Sequence, residues 1–229
     1  MPEKLTFGGG WFGHAILAMA AMQYLAFYYN QVMGLPLVKV SFAILCGRLI
    51  DAFSDPLMGW ISDSTGFRFG RRKPYILIGG CLWALTVFYL INPPAAVRAS
   101  ESSLLLFLAF MMVAETTVLT MLLVPLAALG VDITPNAEER VNLAAIRNWF
   151  FHGGKVVALL IIRPLIKTER FGTDYAPTIL YFTLFAALMI AVAAFACKER
   201  VSAPPPRRKV SRLESLRLVG SNKPFIVLC

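Results

Sequence analysis

Two aspartates inside a strongly apolar segment are the residues of this sequence best suited to chemistry. Between residues 46 and 59, Arg48, Asp51, Asp55 and Gly59 follow one another at intervals of three, four and four. A helix places residues with this spacing on one face, so we expect the two carboxylates to lie one turn apart. Arg48 can neutralise only one of them. The remaining negative charge suits a cation or a proton.

Two neighbouring residues add oxygen atoms to this face. Pro56 has no amide hydrogen, so the carbonyl of Ala52, one turn earlier, loses its helical partner. Hard cations prefer oxygen ligands, which two carboxylates, this carbonyl and the Ser54 hydroxyl would supply. Two other interpretations stay open. Adjacent carboxylates can share a proton, or an arginine–aspartate pair can simply hold helices together.

The elements that must position these acids are membrane-spanning helices. The 229 residues are 58% hydrophobic and 15% charged, with a mean hydropathy of +0.66. A soluble domain has about 45–50% apolar and about 25% charged residues. No segment alternates like a barrel strand, which leaves helices as the spanning structure. We therefore predict an all-α membrane protein with six crossings, at about 11–29, 41–61, 75–91, 104–130, 143–166 and 178–197.

The basic residues predict how these helices are oriented. The formal charge of +9 arises largely in the loops between the apolar blocks. Fourteen Lys and Arg fall on the side of the amino terminus and five on the opposite side. The positive-inside rule then places the amino terminus in the cytoplasm of a plasma (inner) membrane protein. A nucleic-acid partner is not expected, because its binding face needs a continuous basic stripe.

The chain divides into three predicted parts. Residues 1–198 form the bundle of six transmembrane helices. Residues 199–223 form a basic cytoplasmic linker, with apolar residues at the spacing of an amphipathic helix on anionic lipid. Residues 224–229 begin another apolar run that is too short to cross a bilayer, so we expect the sequence to stop early in a seventh helix.

Other polar residues lie within the apolar blocks. The fourth block contains Glu115 and Thr120. In the fifth, Arg147 and Lys155 share a face that can bind an anionic or hydroxylated solute, although both also suit snorkelling towards the membrane surface. Tyr28, at the end of the first block, has a flat ring that can stack on a sugar or belong to an interfacial aromatic belt.

Two runs of sequence resemble a known family. The stretch at 51–63 reads DAFSDPLMGWISD, and the stretch at 68–79 reads RFGRRKPYILIG. Together they are similar to the glycoside–pentoside–hexuronide:cation symporters of the major facilitator superfamily. Val124-Pro125, and Glu139-Arg140 leading to Arg147, extend the resemblance. It implies two six-helix halves with a substrate cavity between them, this chain being the amino-terminal half and the carboxy-terminal half being its missing partner.

The resemblance also implies roles for particular residues. The function it implies is symport of a sugar, glycoside or related small solute by alternating access. The resemblance implies no cofactor apart from Na+ or H+ as the coupling ion. The cation-binding residues are expected to be Asp51, Asp55, Thr120 and Ser54. The resemblance places Arg147 in the substrate site, and Tyr28, Lys155 and Arg48 are expected to be substrate-binding residues from their types and positions. The cytoplasmic gate is expected to consist of Gly59, Asp63, Arg68, Gly70, Arg71 and Arg72.

The sequence departs from the family where sugar-binding acids can stand, because it has Ala15 and Leu123 at those positions. This argues against a galactoside and leaves another glycoside, a uronide or a less polar solute open.

Two other functions were weighed. One is a membrane-embedded enzyme of the CDP-alcohol phosphotransferase type, whose acids have a spacing like that of Asp51, Asp55 and Asp63, but the rest of its motif is missing. The other is a receptor or scaffold without transport activity.

Overall fold

The computed structural model describes residues 2–65, 70–133, 136–165 and 171–197, and within these ranges every regular element is a helix. The predicted linker at 199–223, the start of a seventh helix at 224–229 and Arg68 lie outside the described residues. The helices are α1 (Pro2–Phe27), which continues as a π-helical turn (Tyr28–Val32), α2 (Leu37–Ser64), α3 (Lys73–Ile91), α4 (Ala95–Arg98), α5 (Glu101–Ile133), α6 (Ala137–Leu165) and α7 (Phe171–Ala196).

Six of these helices correspond to the six predicted crossings. Four of the six begin and end at or beyond the predicted boundaries, because a transmembrane helix continues past the hydrocarbon core into the polar headgroup region. The exceptions are two carboxy-terminal ends: α7 ends at Ala196 rather than at residue 197, and α6 is described as far as Leu165, one residue short of the predicted boundary. The four-residue helix α4, between α3 and α5, was not predicted.

The long helices pack in a pattern with internal symmetry. Helix α1 packs against α6 and α7, α2 packs against α5, and α3 packs against α5 and α7. Exchanging α1, α2 and α3 with α5, α6 and α7 converts these pairs into one another. Such a pattern is typical of transporters built from two related three-helix repeats.

The apolar character differs among the helices. Among the described residues, four segments are long and apolar enough to cross a membrane: Glu3–Val32, Lys73–Ile91, Glu101–Ile133 and Pro177–Ala196. Helices α2 and α6, with 28 and 29 residues, are also long enough to cross a membrane, but they carry more charged residues than the other four. The charges that lower their hydropathy include the acids of α2 and the cations of α6 that form the candidate sites.

A glycine allows α2 to approach α5 closely. A Cβ atom at Gly47 would lie 3.0 Å from the backbone oxygen of Met112 and 3.0 Å from the Oγ1 atom of Thr116. Small residues permit such close contact between helices in membranes. One turn further along α2, the same interface brings Asp51 opposite Thr120.

Candidate cation site and substrate-binding face

The Thr120 hydroxyl of α5 brings the two acids of α2 together. Its Oγ1 atom lies 3.3 Å from Oδ1 of Asp51 and 3.0 Å from Oδ1 of Asp55. The hydroxyl has one hydrogen, so it can donate to one carboxylate at a time. Both carboxylates nevertheless converge on the same oxygen atom, which requires the shared face that the spacing on α2 predicts.

Ser54 completes a cluster of four oxygen-bearing side chains. Its Oγ atom lies 3.2 Å from Oγ1 of Thr120 and 3.3 Å from the backbone oxygen of Asp51. Oxygens that bind a cation at about 2.3–2.6 Å in octahedral geometry are about 3.3–3.7 Å from one another. The separations here are close to those values, so small side-chain movements would let the four side chains share a hard cation.

The composition of this cluster argues against a transition-metal site. Among the described residues, no three His, Cys, Asp or Glu side chains come together in a group that could hold a metal ion. Two carboxylates and two hydroxyls provide only hard oxygen ligands, which suit Na+ or a proton better than a soft metal.

Arg48 lies beside the cluster but is not enclosed by it. One of its terminal nitrogens is 3.9 Å from Oδ2 of Asp51, and its side chain is 70% exposed in this chain. An exposed pair at this distance contributes little to stability. Asp51 and Asp55 therefore keep most of their negative charge available for another cation.

The predicted substrate-binding residues of α6 lie against an aromatic cluster formed by Trp11, His14 and Phe151. The guanidinium carbon of Arg147 is 4.9 Å from the ring centre of Trp11, and Nζ of Lys155 is 4.2 Å from the ring centre of Phe151. The Trp11 and Phe151 rings meet edge to face, with centres 6.3 Å apart. Cation–π contacts of this kind stabilise a charge without neutralising it.

This face is rich in hydrogen-bond donors. Among the described residues, neither Arg147 nor Lys155 makes an ion pair. The buried atoms Nε1 of Trp11 and Nδ1 of His14 have no hydrogen-bond partner in that part of the chain. Buried polar groups without partners are uncommon. A ligand oxygen would satisfy the Trp11 N–H, and a ligand hydroxyl would satisfy Nδ1 of His14 in either tautomer.

Two other predicted substrate-binding residues are not part of this face. Tyr28 lies seventeen residues after Trp11 along α1 and its π-helical turn, about 25 Å away at 1.5 Å per residue. It is buried and meets the ring of Tyr29 edge to face, with centres 5.8 Å apart. Arg48 lies beside Asp51 on α2. A role in substrate binding remains a prediction for both residues.

The cytoplasmic gate motif is described only in part. Arg68 and the side chain of Asp63 lie outside the described residues. Arg71 and Arg72 both face Asp132, near the end of α5, with nitrogen–oxygen distances of 3.8 and 3.3 Å. These ion pairs connect the start of α3 to the end of α5. The sequence interpretation did not single out Asp132, although an acid on the side of the basic cluster was a signal for it.

A buried pair between α3 and α5 was also missed. Nε1 of Trp83 donates to Oε1 of Glu115 at 3.0 Å, and both side chains are buried. Glu115 was noted as an acid of the fourth block, but nothing in its spacing indicated a partner. A tryptophan in an apolar helix has no periodic signal, so Trp83 could be found only from the structure.

Comparison with known proteins shows the family. The model of the family described as MFS/sugar transport protein matches residues 6–229. The chain therefore belongs to this family of the major facilitator superfamily, and its relatives support the glycoside–pentoside–hexuronide:cation symporter group within it.

Individual relatives are similar over almost the whole chain. The chain is 29% identical over 225 residues to the inner membrane symporter YicJ of Escherichia coli, covering 96% of this chain and 47% of that protein. It is 27% identical to the uncharacterized symporter YnaJ of Bacillus subtilis, covering 100% of this chain and 50% of that protein. It is 23% identical to the isoprimeverose transporter of Lactiplantibacillus pentosus, covering 90% and 43%. The chain thus spans about half the length of these relatives.

Proposed function

We propose that this chain is the amino-terminal half of a cation-coupled symporter for a sugar, a glycoside or a related small solute. The observation that carries the proposal is the convergence of Asp51 and Asp55 on the Thr120 hydroxyl, with Ser54 beside it. A charge at the centre of a membrane costs about 2.5–3.5 kcal/mol on insertion scales, so two acids on one face of a helix need a cation, a proton or water. Binding of Na+ or H+ meets this need.

Family membership and the names of the relatives support symport over the other functions. The relatives include proteins named as symporters and one named as a sugar transporter. We propose an orientation with the amino terminus in the cytoplasm, in the plasma (inner) membrane, and alternating access between this half and a second six-helix half. The enzyme and scaffold alternatives have no supporting observation.

The solute is proposed to be an acidic glycoside. Arg147 and Lys155 provide two positive charges on the substrate-binding face, and the indole N–H of Trp11 needs an acceptor. The carboxylate of a uronide is one of the anionic groups that accept short, charge-assisted hydrogen bonds from arginine and lysine. Ala15 and Leu123, where the resemblance leads us to look for sugar-binding acids, contribute no acceptors for the hydroxyls of a neutral sugar.

The test uses the complete transporter reconstituted in liposomes. Uptake of para-nitrophenyl glucuronide is compared with uptake of para-nitrophenyl glucoside, under an inward Na+ gradient, an inward H+ gradient and no gradient. We expect one gradient to drive accumulation, and the glucuronide to be preferred. If neither gradient changes the uptake of either compound, symport of this class is wrong. If the glucoside is preferred, the acidic-solute assignment fails while symport stands.

A further inference from the structure

Glu115 is an acid of the bundle interior outside the cation cluster. It is 5% exposed, and its side chain accepts a hydrogen bond from Trp83. A pair of well-packed apolar residues in its place would be neutral or more stable. Stability alone therefore does not explain the hydrogen-bonded pair of Trp83 and Glu115.

Trp83 connects Glu115 to the substrate-binding face. Its ring is fully buried, and its centre lies 5.3 Å from that of His14 at an angle of 39°. On the other side, His14 stacks on Phe151, with centres 5.8 Å apart and planes 9° apart. Phe151 in turn lies under the Lys155 ammonium. Packed contacts thus run from Glu115 to the proposed solute contact.

Glu115 also lies close to the cation cluster. It is five residues before Thr120 on α5, about 7.5 Å along the helix axis and about 140° around it, so that Glu115 faces α3 while Thr120 faces α2. Gly47, one turn before Asp51 on α2, packs against Thr116, the residue next to Glu115 on α5. A cation that neutralises Asp51 therefore changes the field at Glu115. The close approach of α2 to α5 at Gly47 means that a shift of α2 is also felt by the neighbouring turn of α5.

We propose that Glu115 and Trp83 are positioning residues that link cation binding at Asp51 and Asp55 to the substrate-binding face through His14. The inference rests on the proposed function. The hydrogen bond fixes the Trp83 indole against the His14 ring, and a change at the cation cluster moves this indole. Coupling between the cation cluster and the substrate-binding face is therefore measured at Trp83 itself.

The test is fluorine NMR of the complete transporter labelled with fluorotryptophan. The signal of Trp83 is assigned by its loss in Trp83→Phe. Na+ is added as NaCl against KCl at equal ionic strength, and a lower pH tests the proton as the other source of positive charge. We expect either the addition of Na+ or the lower pH to shift the Trp83 signal in the unmodified protein. The same change should leave the Trp83 signal of Asp55→Asn where it is.

Substitutions of Glu115 separate a positioning role from a structural one. Glu115→Leu removes the acceptor at similar size, and Glu115→Met serves the same purpose if the leucine variant does not fold. Glu115→Gln keeps an acceptor oxygen. Thr117→Val is the matched control, because the Thr117 hydroxyl is exposed and bonds to its own helix at the Val113 carbonyl. The ion-induced shift of the Trp83 signal is expected to be lost in the two apolar variants and kept in Glu115→Gln and Thr117→Val.

A second measurement follows the link to the solute. For whichever nitrophenyl glycoside is transported, the ratio of its dissociation constants with and without the ion should fall at least fivefold in Glu115→Leu and in His14→Ala. An unchanged ion-induced shift or an unchanged ratio in Glu115→Leu overturns the inference, while coupling in the unmodified protein leaves the proposed function intact. If neither ion changes the Trp83 signal or the dissociation constant in the unmodified protein, the inference fails, and gradient-driven uptake decides the proposed function separately.

Discussion

Replacing Thr120 by valine isolates the contribution of one hydroxyl to the cation cluster. Valine has nearly the same shape, so the packing between α2 and α5 is kept. The substitution removes an oxygen that lies 3.3 and 3.0 Å from the two carboxylates. A polar group interacting with a charged one contributes about 1.5–3 kcal/mol, which corresponds to an affinity change of roughly 10- to 150-fold. We expect the affinity for the coupling cation to fall by that factor.

The assay is the ion concentration that gives half-maximal solute uptake in liposomes containing the complete transporter. Thr117→Val is the control, since it makes the same chemical change three residues earlier on α5, at an exposed hydroxyl that bonds to the Val113 carbonyl. It should leave the half-maximal concentration unchanged. A Thr120→Val protein that behaves like this control would refute the role of the hydroxyl. An increased ion affinity would show that the hydroxyl competes with the cation.

Two other changes test the packing and the substrate-binding face. Gly47→Ala places a Cβ atom 3.0 Å from the Met112 backbone, which should lower the free energy of unfolding by about 1–3 kcal/mol, whereas Gly153→Ala meets no atom within 4 Å and should not. Thermal unfolding in detergent measures both, and equal melting temperatures would contradict the close approach. Lys155→Met removes a charge but keeps the stem, so glucuronide affinity should fall about tenfold or more while glucoside affinity stays the same. Equal effects on both glycosides would exclude a charge-specific contact.

Part of the cation cluster follows from the sequence because it lies within one helix. The three- and four-residue intervals determine that Arg48, Asp51 and Asp55 share a face once α2 is helical. The convergence on Thr120 joins two helices, and spacing within a segment carries no information about such partners. The resemblance to the symporters is what placed Thr120 with the two acids in advance.

The parts that the sequence did not predict depend on tertiary packing. Trp83 and Glu115 meet only because α3 and α5 are neighbours, and Asp132 faces Arg71 and Arg72 only because α5 ends beside the start of α3. The predicted substrate-binding residues show the same limit. Residue type suggested Tyr28, but its position near the end of α1 separates it from the face at Trp11.

The most direct test of the cation cluster separates accumulation of solute from its exchange. In liposomes containing the complete transporter, Asp55→Asn and Asp51→Asn are compared with the unmodified protein for gradient-driven accumulation and for exchange of solute across the membrane at equilibrium. The account predicts that both variants lose accumulation and retain exchange, because the proposed solute contacts on α6 are unchanged while the proposed cation contacts are lost. Gradient-driven accumulation at normal rates in both variants would contradict it.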